Sequence, residues 1–160
     1  MLSVKLRIAT EDDRSLYKNL FNAYQNELGL YCSEYQDVDC NGYYDAAYTD
    51  AFFSGDKSLM PLVIECDERI VGFAVIAVSP YCPDEFDFCI QEFFVVGYYR
   101  GKGVADAALD GIFGAMKGKY VAAVLNKNQR AKDFFRRAFA PYSFSEREEN
   151  GFTLFSADIK

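Results

Sequence analysis

Between Tyr99 and Val104 the chain sets two glycines, Gly101 and Gly103, around Lys102 and directly after Arg100. Residues without a side chain let main-chain N–H groups converge on a ligand. A helix starting just beyond adds unpaired N–H groups and the positive end of its dipole. With the charges of Arg100 and Lys102, the chemistry that suits this turn is the holding of an anion, phosphate oxygens above all. Spacing narrows the choice. A P-loop, G-x-x-x-x-G-K-[ST], would need its first glycine at Val96 and a hydroxyl residue at Gly103. A dinucleotide fingerprint starting at Gly101 meets Asp106 at its third fixed position. Neither fits. The second residue that could do chemistry is Glu92, in the run "EFDFCIQEFFVV". Strict alternation puts it on a strand face with Phe88, Ile90 and Phe94, where desolvation raises a carboxylate pKa toward the range of a general base. Bonding to nearby main chain, or a bulge that turns the side chain outward, are its other fates.

No histidine occurs among the 160 residues. That excludes Ser-His-Asp and Cys-His nucleophilic machinery and removes the commonest zinc ligand. Cys32, Cys40, Cys66, Cys82 and Cys89 form no C-x-x-C pair, so they read as idle thiols of a reducing compartment, with no disulfide and no metal. Charge is unevenly spread. Residues 1–99 carry 6 basic against 17 acidic residues, a net of −11, whereas 100–137 carry 9 against 3, a net of +6. One segment therefore favours an anion while most of the remainder favours a cation. Nucleic acid is not an expected partner, because a broad positive footprint is missing. Nor is a membrane, since no apolar run approaches the roughly 20 residues of a span. The opening "MLSVKLRIATEDDR" turns charged too early for a secretory signal, so cytoplasmic residence is expected. Length and a 51% hydrophobic composition predict one globular domain over residues 1–160.

The elements that must position these residues follow from periodicity. Val4, Leu6 and Ile8 alternate with Lys5 and Arg7 as a half-buried strand. Thr10 and Asp13 form a capping-box pair before a helical stripe of Leu16, Leu20, Phe21, Tyr24 and Leu28 that ends at Gly29. Residues 30–42 read as loop and 43–53 as a short helix. Strands at 59–66 and 69–79 join through Asp67-Glu68, and a third runs over 85–96. A helix follows the glycine turn, closed by Gly118; then come a buried strand at 120–125, a helix at 128–139 and a strand pair at 142–147 and 152–158. The order β α α β β β α β α β β, with a strand–helix–strand crossover among antiparallel neighbours, predicts an α/β fold whose mixed sheet is covered by helices.

Arg100-Gly101-Lys102-Gly103-Val104-Ala105 matches [QR]-x-x-G-x-[GA], and Asn128, Ala131 and the aromatic pair Phe134-Phe135 follow at fixed spacing. In these two motifs and in element order the chain resembles the GNAT superfamily of acyl-CoA-dependent N-acyltransferases. The resemblance implies a mostly antiparallel sheet of six or seven strands, with a central parallel pair splayed for coenzyme A. It implies that Arg100, Gly101, Lys102, Gly103, Val104 and Ala105 hold the pyrophosphate of acetyl-CoA. Val95 and Val96 would offer main chain to pantetheine, one N–H polarising the thioester carbonyl, and Asn128 would touch the cofactor arm. An N-cap is an equally good reading of Asn128. Lys127, Arg130 and Lys132 could meet further phosphates. Glu92 falls where many members carry an acidic base. Phe135 stands where the family usually has a tyrosine general acid; a phenyl ring cannot donate, so the acid is unassigned, with Tyr142 among the hydroxyls available. The implied activity is transfer of an acetyl group to a primary amine of a small molecule or protein, and by the same resemblance a homodimer is an expectation. The alternative is a non-catalytic acyl-CoA sensor. Tyr31, Tyr35, Tyr43 and Tyr44, with Glu34, Asp37, Asp39 and Asp45, occupy the stretch that faces the acceptor in the family and favour a cationic one.

Overall fold

The computed structural model describes residues 1–45 and 47–160. Seven strands form one sheet: β1 (Val4–Ile8), β2 (Leu59–Cys66), β3 (Arg69–Ala77), β4 (Phe88–Val95), β5 (Gly118–Leu125), β6 (Ser143–Glu149) and β7 (Phe152–Ile159). Their spatial order is β1-β2-β3-β4-β5-β7-β6. Every neighbouring pair is antiparallel except β4 and β5, the parallel pair. The helices are α1 (Arg14–Leu28), α2 (Val104–Ala115) and α3 (Gln129–Phe139).

Alternation along β2 and β3 divides the core. Leu62, Ala74 and Ile76 face Leu109, Ile112 and Phe113 of α2 and Phe135 and Phe139 of α3. Val63, Phe73 and Val75 face Tyr17 and Phe21 of α1. Helices thus cover both faces, as the crossover requires. The Tyr17 hydroxyl, fully buried, donates within reach of the Leu62 and Ala74 carbonyls at 2.7 and 3.1 Å, fastening α1 across two strands. Just before that helix Thr10 and Asp13 form the expected capping box, the Thr10 N–H donating to Asp13 Oδ2 at 2.8 Å.

Several boundaries depart from the sequence reading. Residues 47–53 form a 3-10 turn, with no helix over 43–45; Ala46, inside the expected helix, lies outside the described residues. Gly118 does not close α2, which ends at Ala115; it opens β5 at φ +150°, with Asp87 so near that a Cβ would meet its carboxylate at 2.7 Å.

Two irregularities shape β4. It pairs with β5 only at Phe88↔Tyr120 and Cys89↔Val121, beyond which the strands part. Against β3, Val75 faces Glu92 and Ile76 faces Ile90, so Gln91 is an extra residue, a bulge. The bulge changes which face each later side chain occupies. Phe88, Ile90 and Phe93 lie with the α2–α3 core, Cys89 and Phe94 with the α1 core. The expectation that Glu92 shares a face with Phe88 and Ile90 is therefore corrected: it lies with Phe94, facing α1.

Candidate active site

Where β4 and β5 part, a cavity of about 560 Å³ opens between the end of β4, the glycine turn, α1 and the N-terminal turns of α3. Phe93, Phe94 and Val95 supply one wall, Gly101, Gly103 and Ala105 another, Asn128, Arg130 and Phe134 a third, and Tyr24 and Glu27 the fourth. Main-chain polarity follows from register. The Val96 N–H donates to the Val71 carbonyl at 2.8 Å, so the polar groups of the preceding residue, Val95, point away from β3 into the gap. Arg100 Nε donates to the Val95 carbonyl at 2.6 Å, which agrees.

Gly101 and Gly103 adopt φ +68° and +80°, a left-handed conformation that suits glycine. A Cβ added at either would meet no protein atom within 4 Å. The space over the turn is open, and Gly103 is the N-cap of α2, whose first N–H groups have no intrahelical carbonyl. Cations gather at this mouth. Glu27 bridges Arg100 at 2.8 Å and Arg130 at 3.1 Å, and Arg137 lies 3.3 Å from Asp106.

Of the residues singled out in the sequence, Val95, Arg100, Gly101, Gly103, Ala105 and Asn128 line this cavity. Lys102, Val96 and Val104 do not. The Lys102 ammonium sits over the Tyr98 ring at 3.4 Å, Val96 spends its N–H on β3, and the Val104 side chain is buried in the core. Asn128 acts as the N-cap of α3, its Oδ1 accepting from the Ala131 N–H at 3.1 Å, while remaining on the wall. Arg130 is also on the wall; Lys127 and Lys132 are not. Tyr24, Glu27, Phe134 and Arg137 went unread as site residues. In the sequence Tyr24 belongs to the apolar stripe of α1, and nothing local marks Glu27 as the partner of two arginines.

A second cavity, of about 410 Å³, adjoins the first at Leu28 and reaches Glu92. Burial pushes the Glu92 carboxyl up to about 7, partly opposed by a hydrogen bond from the Tyr24 hydroxyl. Burial likewise raises Tyr24 well above the ordinary phenol value, with the Glu92 charge adding to it, so Tyr24 stays protonated. Tyr24 also lines the first cavity, and among the described lining residues it carries the only hydroxyl there. The two cavities therefore meet at a carboxylate and a phenol whose charges are felt by one another. That arrangement can take a proton on one side and deliver one on the other. Phe135 is buried, its ring stacked on Phe155, and Tyr142 packs edge-on to Phe113 away from both cavities. Burial pushes the Cys89 thiol up to about 12, which removes it as a nucleophile near neutrality.

Of the residues expected near an acceptor, Glu34, Tyr35, Asp37, Tyr44 and Asp45 line the second cavity, joined by Phe21, Gln25 and Tyr48. Tyr31 and Tyr43 do not line it, and Asp39 is spent on its own loop, accepting from the Asn41 and Tyr43 N–H groups at 2.8 and 3.0 Å. Among the described residues no three His, Cys, Asp or Glu side chains gather as a metal site, and no helix is long and apolar enough to cross a membrane.

Comparison with known proteins agrees with this geometry. The model of the acetyltransferase (GNAT) family matches residues 18–139. An acetyltransferase from Thermus thermophilus superposes with a TM-score of 0.70 at 18% identity, over 98% of this chain and 97% of that one. A GNAT-family acetyltransferase from Streptococcus agalactiae gives 0.73 at 15% identity, over 98% and 95%. The GNAT domain of S. lividans PAT gives 0.68 at 17%, over 97% and 90%. No curated protein gives a significant sequence match.

Proposed function

The chain belongs to the GNAT acetyltransferase family, and from that premise we propose that it is an N-acetyltransferase carrying the acetyl group of acetyl-CoA to a primary amine. Transfer is direct, within a ternary complex. The observation that carries this reading is Glu92, which lines the second cavity with its carboxyl raised to about 7, beside the Tyr24 phenol that lines the first.

The first cavity suits acetyl-CoA. Open space over Gly101 and Gly103, the α2 N-terminus and Arg100 together favour a pyrophosphate. Arg100 and Arg130, now on Glu27, are the cations a phosphate would draw away. The unpaired edge of β4 past Cys89 offers the Val95 N–H as a donor to a thioester carbonyl. What acetyl-CoA supplies is an activated acyl carbon on a good leaving group. The chain's own part is proton traffic. An amine arrives as ammonium and gives up two protons as its N–C bond forms and the C–S bond breaks. Glu92 takes the proton that frees the nucleophile. The second nitrogen proton returns by way of Glu92 and the Tyr24 hydroxyl to the departing sulfur, which replaces the missing tyrosine at Phe135. The net release is one proton to solvent.

Isothermal titration with acetyl-CoA at low and moderate salt tests the reading, followed by thiol release in an amine screen. Salt-sensitive 1:1 binding and amine-dependent thiol release are expected. No binding at millimolar acetyl-CoA would overturn it, and binding without turnover on any amine would leave a sensor instead.

A further inference from the structure

The second cavity carries more chemistry than one reacting amine requires. Four carboxylates stand on its wall, Glu34, Asp37, Asp45 and Glu92, and no lysine or arginine does. Among the described residues none of these four forms an ion pair with a cation of the chain. They fall into two groups. Glu92 lies deep, at the junction with the first cavity, whereas Glu34, Asp37 and Asp45 are exposed at the mouth. Between them the wall is aromatic and aliphatic: Phe21, Leu28, Tyr35, Tyr44 and Tyr48.

An independent observation points to a donor in this space. Gln25 is 6% exposed and lines the cavity; its Nε2 donates to the Asp45 carbonyl at 3.0 Å, but its Oε1 has no hydrogen-bond partner among the described residues. A buried amide oxygen left unpaired is costly, and an ammonium N–H would satisfy it. Asn22 and Asn26, the nearby amides, already accept from the Tyr44 N–H and the Tyr44 hydroxyl at 2.9 and 3.1 Å.

We infer that the acceptor is an α,ω-diamine or short polyamine, one nitrogen seated against Glu92 and Gln25 and a second cation held by Glu34, Asp37 and Asp45. This rests on the acyl-transfer reading. Methylenes run along the aromatic wall, whose ring faces also attract a cation. The deep ammonium becomes the amide by the step already described; the outer one keeps its charge throughout. The outer carboxylates thus set specificity and do no chemistry.

Two readouts test this. Titration of the protein alone, at pH 7.5 and low salt, compares 1,4-diaminobutane with n-butylamine. Thiol release from acetyl-CoA then compares the same pair with spermidine, glucosamine and a lysine peptide. The diamine should bind and turn over about tenfold better or more than butylamine. E34Q/D37N, altering two exposed side chains, should cut diamine binding and turnover far more than those of butylamine, so that the preference collapses toward one. Equal binding and turnover of diamine and butylamine would overturn the inference while leaving acyl transfer standing. So would a preference for glucosamine or the peptide. Diamine binding that survives alongside no use of acetyl-CoA would support the cavity assignment and sink the acyl-transfer reading instead.

Discussion

Replacing Glu92 by glutamine keeps the shape of the side chain and removes its proton chemistry, and the consequence can be worked out over pH. On the proposed role of Glu92, a carboxyl at about 7 is a competent base above neutrality, so kcat/KM for a primary amine should rise through pH 7 and then level. Without the base, reaction relies on amine already neutral in solution. For an amine titrating near 10.4 that is roughly one molecule in 2,500 at pH 7, and the fraction grows about tenfold per pH unit. The E92Q profile should therefore climb steadily toward pH 10. The gap to wild type should be about 1,200-fold at pH 7 and about 25-fold at pH 9. The assay is steady-state thiol release between pH 6 and 10. Parallel profiles, or a gap below threefold at pH 7, would refute the argument. Stability supplies a control of opposite sign. Glu92 titrates near 7 in the folded chain against an ordinary 4.5, so the native state holds its proton more tightly than the unfolded one. The penalty for the charge is absent below about pH 4.5, grows between the two values and is complete above 7, where it amounts to roughly 3 kcal/mol. E92Q should unfold at a higher temperature than wild type at pH 8 and lose that advantage near pH 4.5. An inactive variant that is also less stable at pH 8 would mean the carboxylate is structural.

The glycine turn and the proton path give the remaining expectations. G103A forces a side chain into φ +80°, which costs about 1–2 kcal/mol of stability with no steric clash in the free protein, and it puts a methyl into the open space above the turn. Thermal unfolding should fall by a few degrees and titration should show acetyl-CoA weakened at least tenfold; unchanged affinity would remove the turn from the binding site. Y24F should lower kcat by about 10- to 100-fold at pH 7 without changing acetyl-CoA affinity. F135Y, by contrast, buries a hydroxyl beside Phe155 and should reduce stability without raising kcat. A faster F135Y enzyme would show that the acid route lies along α3 after all.

Much of this architecture could be read locally. The seven strands and α1, α2 and α3 announce themselves through side-chain period, and the glycine turn through residues that the backbone takes to φ +68° and +80°. What could not be read is where two distant segments must agree. Tyr24 and Glu27 sit on α1, and each looks ordinary there. Their importance comes from Glu92 on β4 and from Arg100 and Arg130 across the cavity, 73 and 103 residues away from Glu27 in sequence. The acidic loop shows the same limit. Asp37 and Asp39 are alike in composition, yet one faces a cavity and the other caps its own turn.

The bulge at Gln91 is the sharpest case, because it decides what Glu92 is. The run "FCIQEFFV" alternates well enough to be a plain strand and contains no glycine or proline to mark an insertion. The extra residue exists because β3 pairs Val75 with Glu92 and Ile76 with Ile90, a fact of register between strands. Without it, Glu92 would follow Ile90 into the apolar layer beneath α2 and α3, facing Ile112, Phe113 and Phe139. A carboxylate there would meet neither Tyr24 nor either cavity and would remain protonated at any working pH. With it, the same residue turns to α1, keeps enough burial to hold its proton to about 7, and reaches a phenol that opens on the other cavity. Gln91 itself is held on that side by a hydrogen bond from its Nε2 to the Tyr48 hydroxyl, so the segment that lines the second cavity also fixes the bulge. One inserted residue thus makes the difference between a buried defect and a carboxylate that faces the second cavity beside the first.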